Sequence, residues 1–491
     1  MSNKLYAILE VVKMYIVREP LPSASKSSCR DGIVVSAVFA PPLGQLSDSE
    51  NKRTPLGAKC HSRLVRNTRH TFLTAYRRLF SLAFIGNLIG LGLIVALNVD
   101  SSSPPLSDFA TAASANMMVA ILVRQDYIVN ILFKTCSLVP LSAPLRFRRL
   151  LAKVYEYGGV HSGAAFCSVM WFLVLTAFLT KDFASGQLRD IAIMTFTYII
   201  LTLLLGIIIT AYPGARFVSH NAFENVHRWA GWASLLLFWP ELVLFANSTA
   251  QGQKSKSLVG ILIRLPAFWL LLISCILVVI PWLRFHKISV QAEYLSNHVI
   301  RLHFKEKVLP FVTLRISDAP LREWHSFACI PDREGDGGSI LISDAGDWTR
   351  KTIQAPKEYY YIKGVPVIGV LCMAQIFRRV VIVTTGSGVG PCLGTIQDIP
   401  KTTCRVVWST PSPWQTYGKE ICNALLGVDN QAVIIDTRVT GRPNLVQLAY
   451  DLYIEFQAEA VFCISNRKLT RKVVYGMESR GVPAFGPIWD S

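Results

Sequence analysis

Between residues 79 and 283 the chain repeats one pattern, a run of about twenty mostly apolar residues followed by a short polar or basic break. The runs are 79–99, 109–133, 157–180, 191–211, 226–246 and 258–283. Each approaches the length an α-helix needs to cross the hydrocarbon core. The second run is interrupted by Arg124, Gln125 and Asp126. Charges inside such a span are costly and face a protein interior or a polar cavity. From residue 284 the pattern changes. "ISVQAEYLSNHVIRLHF" alternates apolar and polar positions, as half-buried antiparallel strands do, and strand-like runs continue to residue 376. After residue 377 the runs "RRVVIVTT", "TCRVVWST", "QAVIIDT" and "AEAVFCIS" are continuously apolar and lie helix-lengths apart, the rhythm of a doubly wound parallel sheet.

This pattern predicts an α-helical membrane domain of about six transmembrane helices over 75–283. An antiparallel β-barrel domain (284–376) and an α/β nucleotide-binding domain (377–491) complete it. Residues 1–70 are rich in Ser, Pro and basic residues without a sustained period, and are expected to form a disordered cytosolic tail.

Composition agrees with a membrane protein: 51% of residues are hydrophobic and the mean hydropathy is +0.37. The net charge of +18 would suit a nucleic-acid binder, but basic flanks of membrane helices explain it better, so no nucleic-acid partner is expected. Arg63, Arg66, Arg69, Arg77 and Arg78 precede the first run, and Lys134, Arg146, Arg148, Arg149 and Lys153 follow the second. The positive-inside rule then places both termini in the cytosol, with membrane lipid as the surrounding partner. Asn247-Ser248-Thr249 is a glycosylation acceptor sequence on the opposite side. The eleven cysteines contain no CxxC pair and read as reduced and scattered.

One stretch points to nucleotide chemistry through its place after a β-domain, since a glycine turn by itself also serves merely to reverse a chain. "TTGSGVGP" places Gly386, Gly388 and Gly390 directly after a strand, with Ser387 between them. Glycine there lets backbone approach a pyrophosphate, whose charge the next helix N-terminus favours. Two further stretches, "EWHSFACIP" and "GDWTRK", resemble the flavin-binding His-Pro-Phe-Ser/Thr and Gly-Asp-Trp-Thr segments of ferric reductases and NADPH oxidases, with Ser326 in place of the proline. "GRPNL" is similar to their Gly-Arg-Pro-Asn stretch. The ending "SNRKLTRKVVYGMESRGVPAFGPIWDS" resembles that of fungal TmpA-like membrane flavoproteins.

The resemblance covers roughly 75–491 and implies a ferredoxin-reductase-like module. FAD would lie near His325, Ser326, Phe327, Gly346, Asp347, Trp348 and Thr349. NADPH or NADH would lie along Gly386, Ser387, Gly388 and Gly390, with Arg442 offering a cation and Trp489 an aromatic cover for the flavin. The sequence also departs from that family. "KGVPVIGV" replaces its Gly-Pro-Tyr/Phe-Gly turn, "CIS" at Cys463–Ser465 replaces its Cys-Gly-Pro, and Pro411 stands where an arginine often grips the NADP phosphate.

That family carries two histidines on each of two helices, about fourteen residues apart. Here the third run opens with His161 and the fifth with His227, while fourteen residues further on stand Leu175 and Glu241. Two readings follow: one inner b-type haem held by His161 and His227, or a haemless membrane flavoprotein whose histidines pack at the interface. Two functions are likewise open. One is a membrane flavoprotein oxidoreductase passing electrons from NAD(P)H through FAD to an unidentified acceptor. The other is a regulatory or developmental membrane protein on a degenerate ferric-reductase-like scaffold.

The topology is directly testable. In sealed vesicles exposing their cytosolic face, added protease is expected to remove a tag at the C-terminus. Protection of that tag would refute the six-span orientation.

Overall fold

The computed structural model describes residues 55–98, 106–252, 257–332, 337–396 and 403–487. Its first half is helical: α1 (Ala75–Leu97), α2 (Leu106–Leu122), α3 (Asp126–Ser137), α4 (Gly158–Ala184), α5 (Ile191–Ala211), α6 (His220–Gly252) and α7 (Pro266–Val279). Among the described residues five helices are long and apolar enough to cross a membrane, and the α2–α3 pair makes a sixth if counted as one span. Leu82, Ile89, Leu93 and Leu236 stay exposed on their outer faces, whereas Phe109, Cys167, Trp171 and Phe172 pack inside.

The interrupted second run acquires a reason. α2 and α3 meet at a 68° bend. At the bend Gln125 Nε2 donates to the Leu277 carbonyl, and the buried Asp126 pairs with Arg315 at 2.5 Å. The chain turns here to bring a carboxylate against the β-domain, so the interrupting charge is a docking group.

The second half contains two sheets. Eight strands form an antiparallel sheet in the order β1-β7-β4-β5-β6-β3-β2, with β8 paired to β4. They are β1 (His286–Ser289), β2 (Gln291–Ser296), β3 (Val299–Phe304), β4 (Val312–Ser317), β5 (His325–Pro331), β6 (Gly338–Ser343), β7 (Tyr359–Ile362) and β8 (Val367–Ile368). Their inward residues, Ile300, Leu302, Ile316 and Ile342 among them, are fully buried. Helix α8 (Asp347–Gln354) lies between β6 and β7.

Five parallel strands then follow the order β11-β10-β9-β12-β13. These are β9 (Arg379–Thr385), β10 (Thr403–Thr410), β11 (Val433–Asp436), β12 (Ala460–Ile464) and β13 (Ala484–Phe485). Helices α9 (Val389–Ile396), α10 (Pro413–Val428), α11 (Leu445–Glu455) and α12 (Arg467–Glu478) connect them. Separate buried clusters form on the two faces, Val380, Ile382 and Val406 on one and Val381, Val383 and Val407 on the other. The continuous apolar runs in the sequence are therefore central strands covered on both sides.

Polar clamps join the halves. Arg148, 3% exposed, makes a two-point contact with Glu459 at 2.7 and 3.1 Å and donates to the Ile376 carbonyl at 2.8 Å. Asn130 bridges to the β-domain through the Pro366 carbonyl and the Ile368 N–H.

The expectation of a disordered tail to residue 70 needs correction over the described part. Residues 55–72 lie against the last domain: Cys60 N donates to the Ser479 carbonyl, Arg480 Nε donates to the Gly57 carbonyl, and His70 Nδ1 lies 3.1 Å from Glu478. Residues 1–54 fall outside the described residues. The acceptor sequence at Asn247 sits within α6, half-buried, so the helix runs past the end of the apolar run.

Two outcomes follow. Arg148→Met is expected to cost about 3 kcal/mol by removing the two-point partner of Glu459 and the donors to the Ile376 and Ala143 carbonyls, read as a lower unfolding midpoint. Burial would raise the pKa of Glu478, but the His70 and Lys153 contacts outweigh it and hold the carboxyl below its ordinary value. A depressed carboxylate contributes stability above pH 4.5 and loses it as pH falls through the folded pKa. Glu478→Gln should thus destabilise at pH 7 and have little effect in strong acid. A penalty independent of pH would refute the linkage.

Candidate functional site

The strand order of the parallel sheet reverses between β9 and β12, so its crevice opens at the carboxyl ends of those two strands. The glycine loop occupies that position. Residues Gly386–Gly388 form one tight turn before α9, and Gly386 adopts φ +53°, a conformation L side chains rarely take. A Cβ at Gly388 would lie 2.5 Å from Thr384 Oγ1 and 2.6 Å from the Ile464 carbonyl, so glycine is required there for space. The loop is held from three sides. Trp408 Nε1 donates to the Gly386 carbonyl at 2.9 Å, Thr384 Oγ1 donates to the Ile464 carbonyl, and Thr385 and Ser465 hydroxyls meet at 2.5 Å.

A second group assembles on the antiparallel sheet. The His325 ring stacks on Trp348 with centroids 4.1 Å apart and planes 25° apart, and Phe327 lies 6.1 Å from the same indole. Trp348 is buried and its Nε1 donates to Asp318. Gly346 and Asp347 are exposed at the start of α8, where Thr349 Oγ1 accepts from the Gly346 and Ala345 N–H groups. The sequence places Ser326 beside His325, and the structure leaves it exposed.

His325 Nε2 is buried and makes no hydrogen bond; Glu323 Oε2 lies 3.3 Å away without bonding geometry. Burial lowers the His325 pKa, against the pull of Glu323 and Glu224. A buried ring nitrogen without a partner beside an aromatic wall suits a planar heteroaromatic ligand that completes the bond.

The two groups touch. Ser343, at the end of β6, donates to Ser387 in the glycine loop at 2.8 Å. Behind them α9 presses onto β5, where a Cβ on Gly394 would stand 2.0 Å from the Cys329 carbonyl. Sequence reasoning identified Gly386, Ser387, Gly388 and Gly390 but missed Ser343, Thr385, Trp408 and Ser465. Their only signal was position at strand ends.

The remaining candidates separate. Arg442 is exposed in the loop after β11, two strands from the switch point. Trp489 lies outside the described residues. Cys463 is fully buried, its thiol pushed up to about 12 by burial, and packs in the core instead of facing the crevice.

In the helical half His161 and His227 are neighbours, ring centroids 6.3 Å apart, with His161 Nδ1 2.9 Å from the Ala120 carbonyl. Two imidazoles sharing one iron at about 2 Å per bond need roughly this spacing. The Ala120 carbonyl would fix the ring as outer partners of ligand histidines do. Leu175 and Glu241 line a common cavity and offer no imidazole.

Residues 370–491 match the family model described as the C-terminal domain of adenylate-forming reductase 03009. The chain is 44% identical over 436 residues to adenylate-forming reductase 03009 of Coprinopsis cinerea, covering 88% of this chain and 42% of the relative. It is 43% identical over 438 residues to adenylate-forming reductase 06235 of the same fungus, with the same coverage. The chain thus spans about two fifths of the length of the curated relatives it matches. Among solved structures, a ferredoxin NADP+ reductase from Neisseria gonorrhoeae with bound FAD and NADP aligns at 12% identity and TM-score 0.35, over 42% of this chain and 99% of that one. A ferredoxin-NADP+ reductase from Plasmodium falciparum aligns at 10% identity and TM-score 0.32, over 41% and 95%.

Gly388→Ala is expected to force the loop away from Thr384 and the Ile464 carbonyl and to weaken nicotinamide nucleotide binding about tenfold or more. Unchanged affinity in a calorimetric titration would remove the loop from the site.

Proposed function

We propose that this chain is a membrane-embedded flavin-dependent reductase module that takes electrons from NADPH or NADH and passes them to an acceptor not yet identified. The observation carrying it is the Ser343–Ser387 contact, which joins the His325/Trp348 wall to the glycine loop. A flavin on one and a nicotinamide on the other would be neighbours. The relatives' printed name, adenylate-forming reductase, supports a reductase role. The likeness to ferric reductases and NADPH oxidases rests on the sequence motifs alone.

FAD, when bound, supplies the exchange between a hydride donor and a one- or two-electron acceptor. This chain's residues position it. His325, Phe327 and Trp348 offer the aromatic wall, and the His325 ring nitrogen offers one hydrogen bond. The backbone at Gly346–Thr349 would hold the pyrophosphate, where the α8 N-terminus favours negative charge. Gly386–Gly390 cradles the nicotinamide nucleotide, and Ser343 and Ser387 set the spacing between the two. The apolar helices hold the module at the membrane, which favours a quinone, a lipid or a small metabolite as acceptor.

A one-haem variant of this reading is favoured by the facing imidazoles of His161 and His227. The regulatory reading is favoured by Cys463, which packs in the core where the reductases place a cysteine at the hydride path.

Absorbance of the detergent-purified protein separates these readings. Flavin bands that fall in His325→Ala and Trp348→Ala and bleach on adding NADPH or NADH are expected. A Soret band lost in both His161→Ala and His227→Ala would establish the haem. A colourless protein that takes up no added FAD would overturn the reductase proposal.

A further inference from the structure

The face of α6 that carries His227 continues, seven residues on, to Ser234 and, fourteen on, to Glu241. A cavity of about 60 Å³ lies beside Glu241, with Leu175 of α4 on its wall. The two positions where a second histidine pair would stand therefore border a partly open space. Met117, Phe172, Phe238 and Leu271 supply apolar walls from four helices.

Glu241 is 7% exposed, and one of its oxygens accepts from Thr197 at 2.7 Å. Among the described residues no hydrogen bond to its other oxygen is found. Ser168, also on the wall, spends its hydroxyl on the Ala113 carbonyl at 2.8 Å. A carboxyl group buried among apolar helices marks a function more often than a packing solution.

The lining decides the kind of occupant. Ordered water takes two to four polar partners, and with the Ser168 O–H spent this wall offers the minimum, Glu241 and Ser114, against a lining that is otherwise apolar. A cation would require a buried ion pair in an apolar medium, which is costly. A hydroxyl needs one partner and lets the rest of the molecule remain apolar. The volume is well below the roughly 150 Å³ that admits a benzene ring, so a short chain end fits and a ring does not.

We propose that this cavity binds the hydroxyl-bearing end of a membrane-dissolved alkyl chain, with Glu241 as its hydrogen-bond partner. The site rests on the membrane reading of the helices but not on the redox chemistry.

The full chain, purified in detergent, is irradiated with a short diazirine-bearing alkanol and its adducts are mapped by mass spectrometry. Saturable labelling at Glu241 or its neighbours in α6 is expected. Unlabelled 1-butanol should compete about tenfold better than pentane, as one hydrogen bond predicts. Leu175→Trp and Ala113→Leu, two independent fillings of the cavity, should each abolish the label. Labelling that does not saturate, equal competition by pentane, or labelling that survives both fillings overturns the proposal. Alkaline carbonate extraction keeps the premises apart. Release of the protein from membranes defeats the membrane reading, whereas retention without saturable label defeats the cavity site.

Discussion

The buried guanidinium of Arg148 is the contact on which the arrangement of the molecule depends. It leaves a short helix between the apolar spans, reaches Glu459 before β12, and donates to the Ile376 carbonyl just before β9. Glu459 also accepts from the Arg378 N–H. One planar fork thus fixes the helical half against the two central strands of the parallel sheet. An arginine at 3% exposure is tolerable only when its donors are spent, and here a third goes to the Ala143 carbonyl. Asp126 with Arg315 does the same for the antiparallel sheet.

Both sheets are held against the helices, and the Ser343–Ser387 contact joins them to each other. Neither sheet contains a complete site. The antiparallel sheet contributes an aromatic wall with an unpartnered ring nitrogen, and the parallel sheet contributes a glycine turn at its switch point. Ser343 and Ser387 meet because Gly394 lets α9 close on β5. Lys363, seated 4.4 and 4.3 Å from the Trp282 and Trp324 rings, marks the corner where the helices join this assembly. Burial and two neighbouring guanidiniums push its pKa down to about 8, while the indole faces favour the ammonium form.

The helical half follows a related logic with fewer polar groups. His161 and His227 meet near one end of the bundle, and Glu241 with Leu175 borders a cavity fourteen residues on. The regular spacing along two packed helices creates two levels, and only the first presents imidazoles.

The sequence determined the element types, because their causes are local. Twenty-residue apolar runs, a period of two, and apolar runs broken by glycine each impose one backbone geometry whatever the neighbours do. It also marked Gly386, Gly388 and Trp348, whose roles depend on residues close in the chain or on a recurring motif. Partners distant in sequence were settled only by tertiary structure. Nothing near Asp126 announces Arg315, nor does anything near Arg148 announce Glu459, because a charge in an apolar run reads as an interruption until its counter-ion arrives from another domain. The same applies to Ser343 beside Ser387, and to residues 55–72, whose polar composition reads as disorder until Glu478 and Arg480 supply the contacts that hold it.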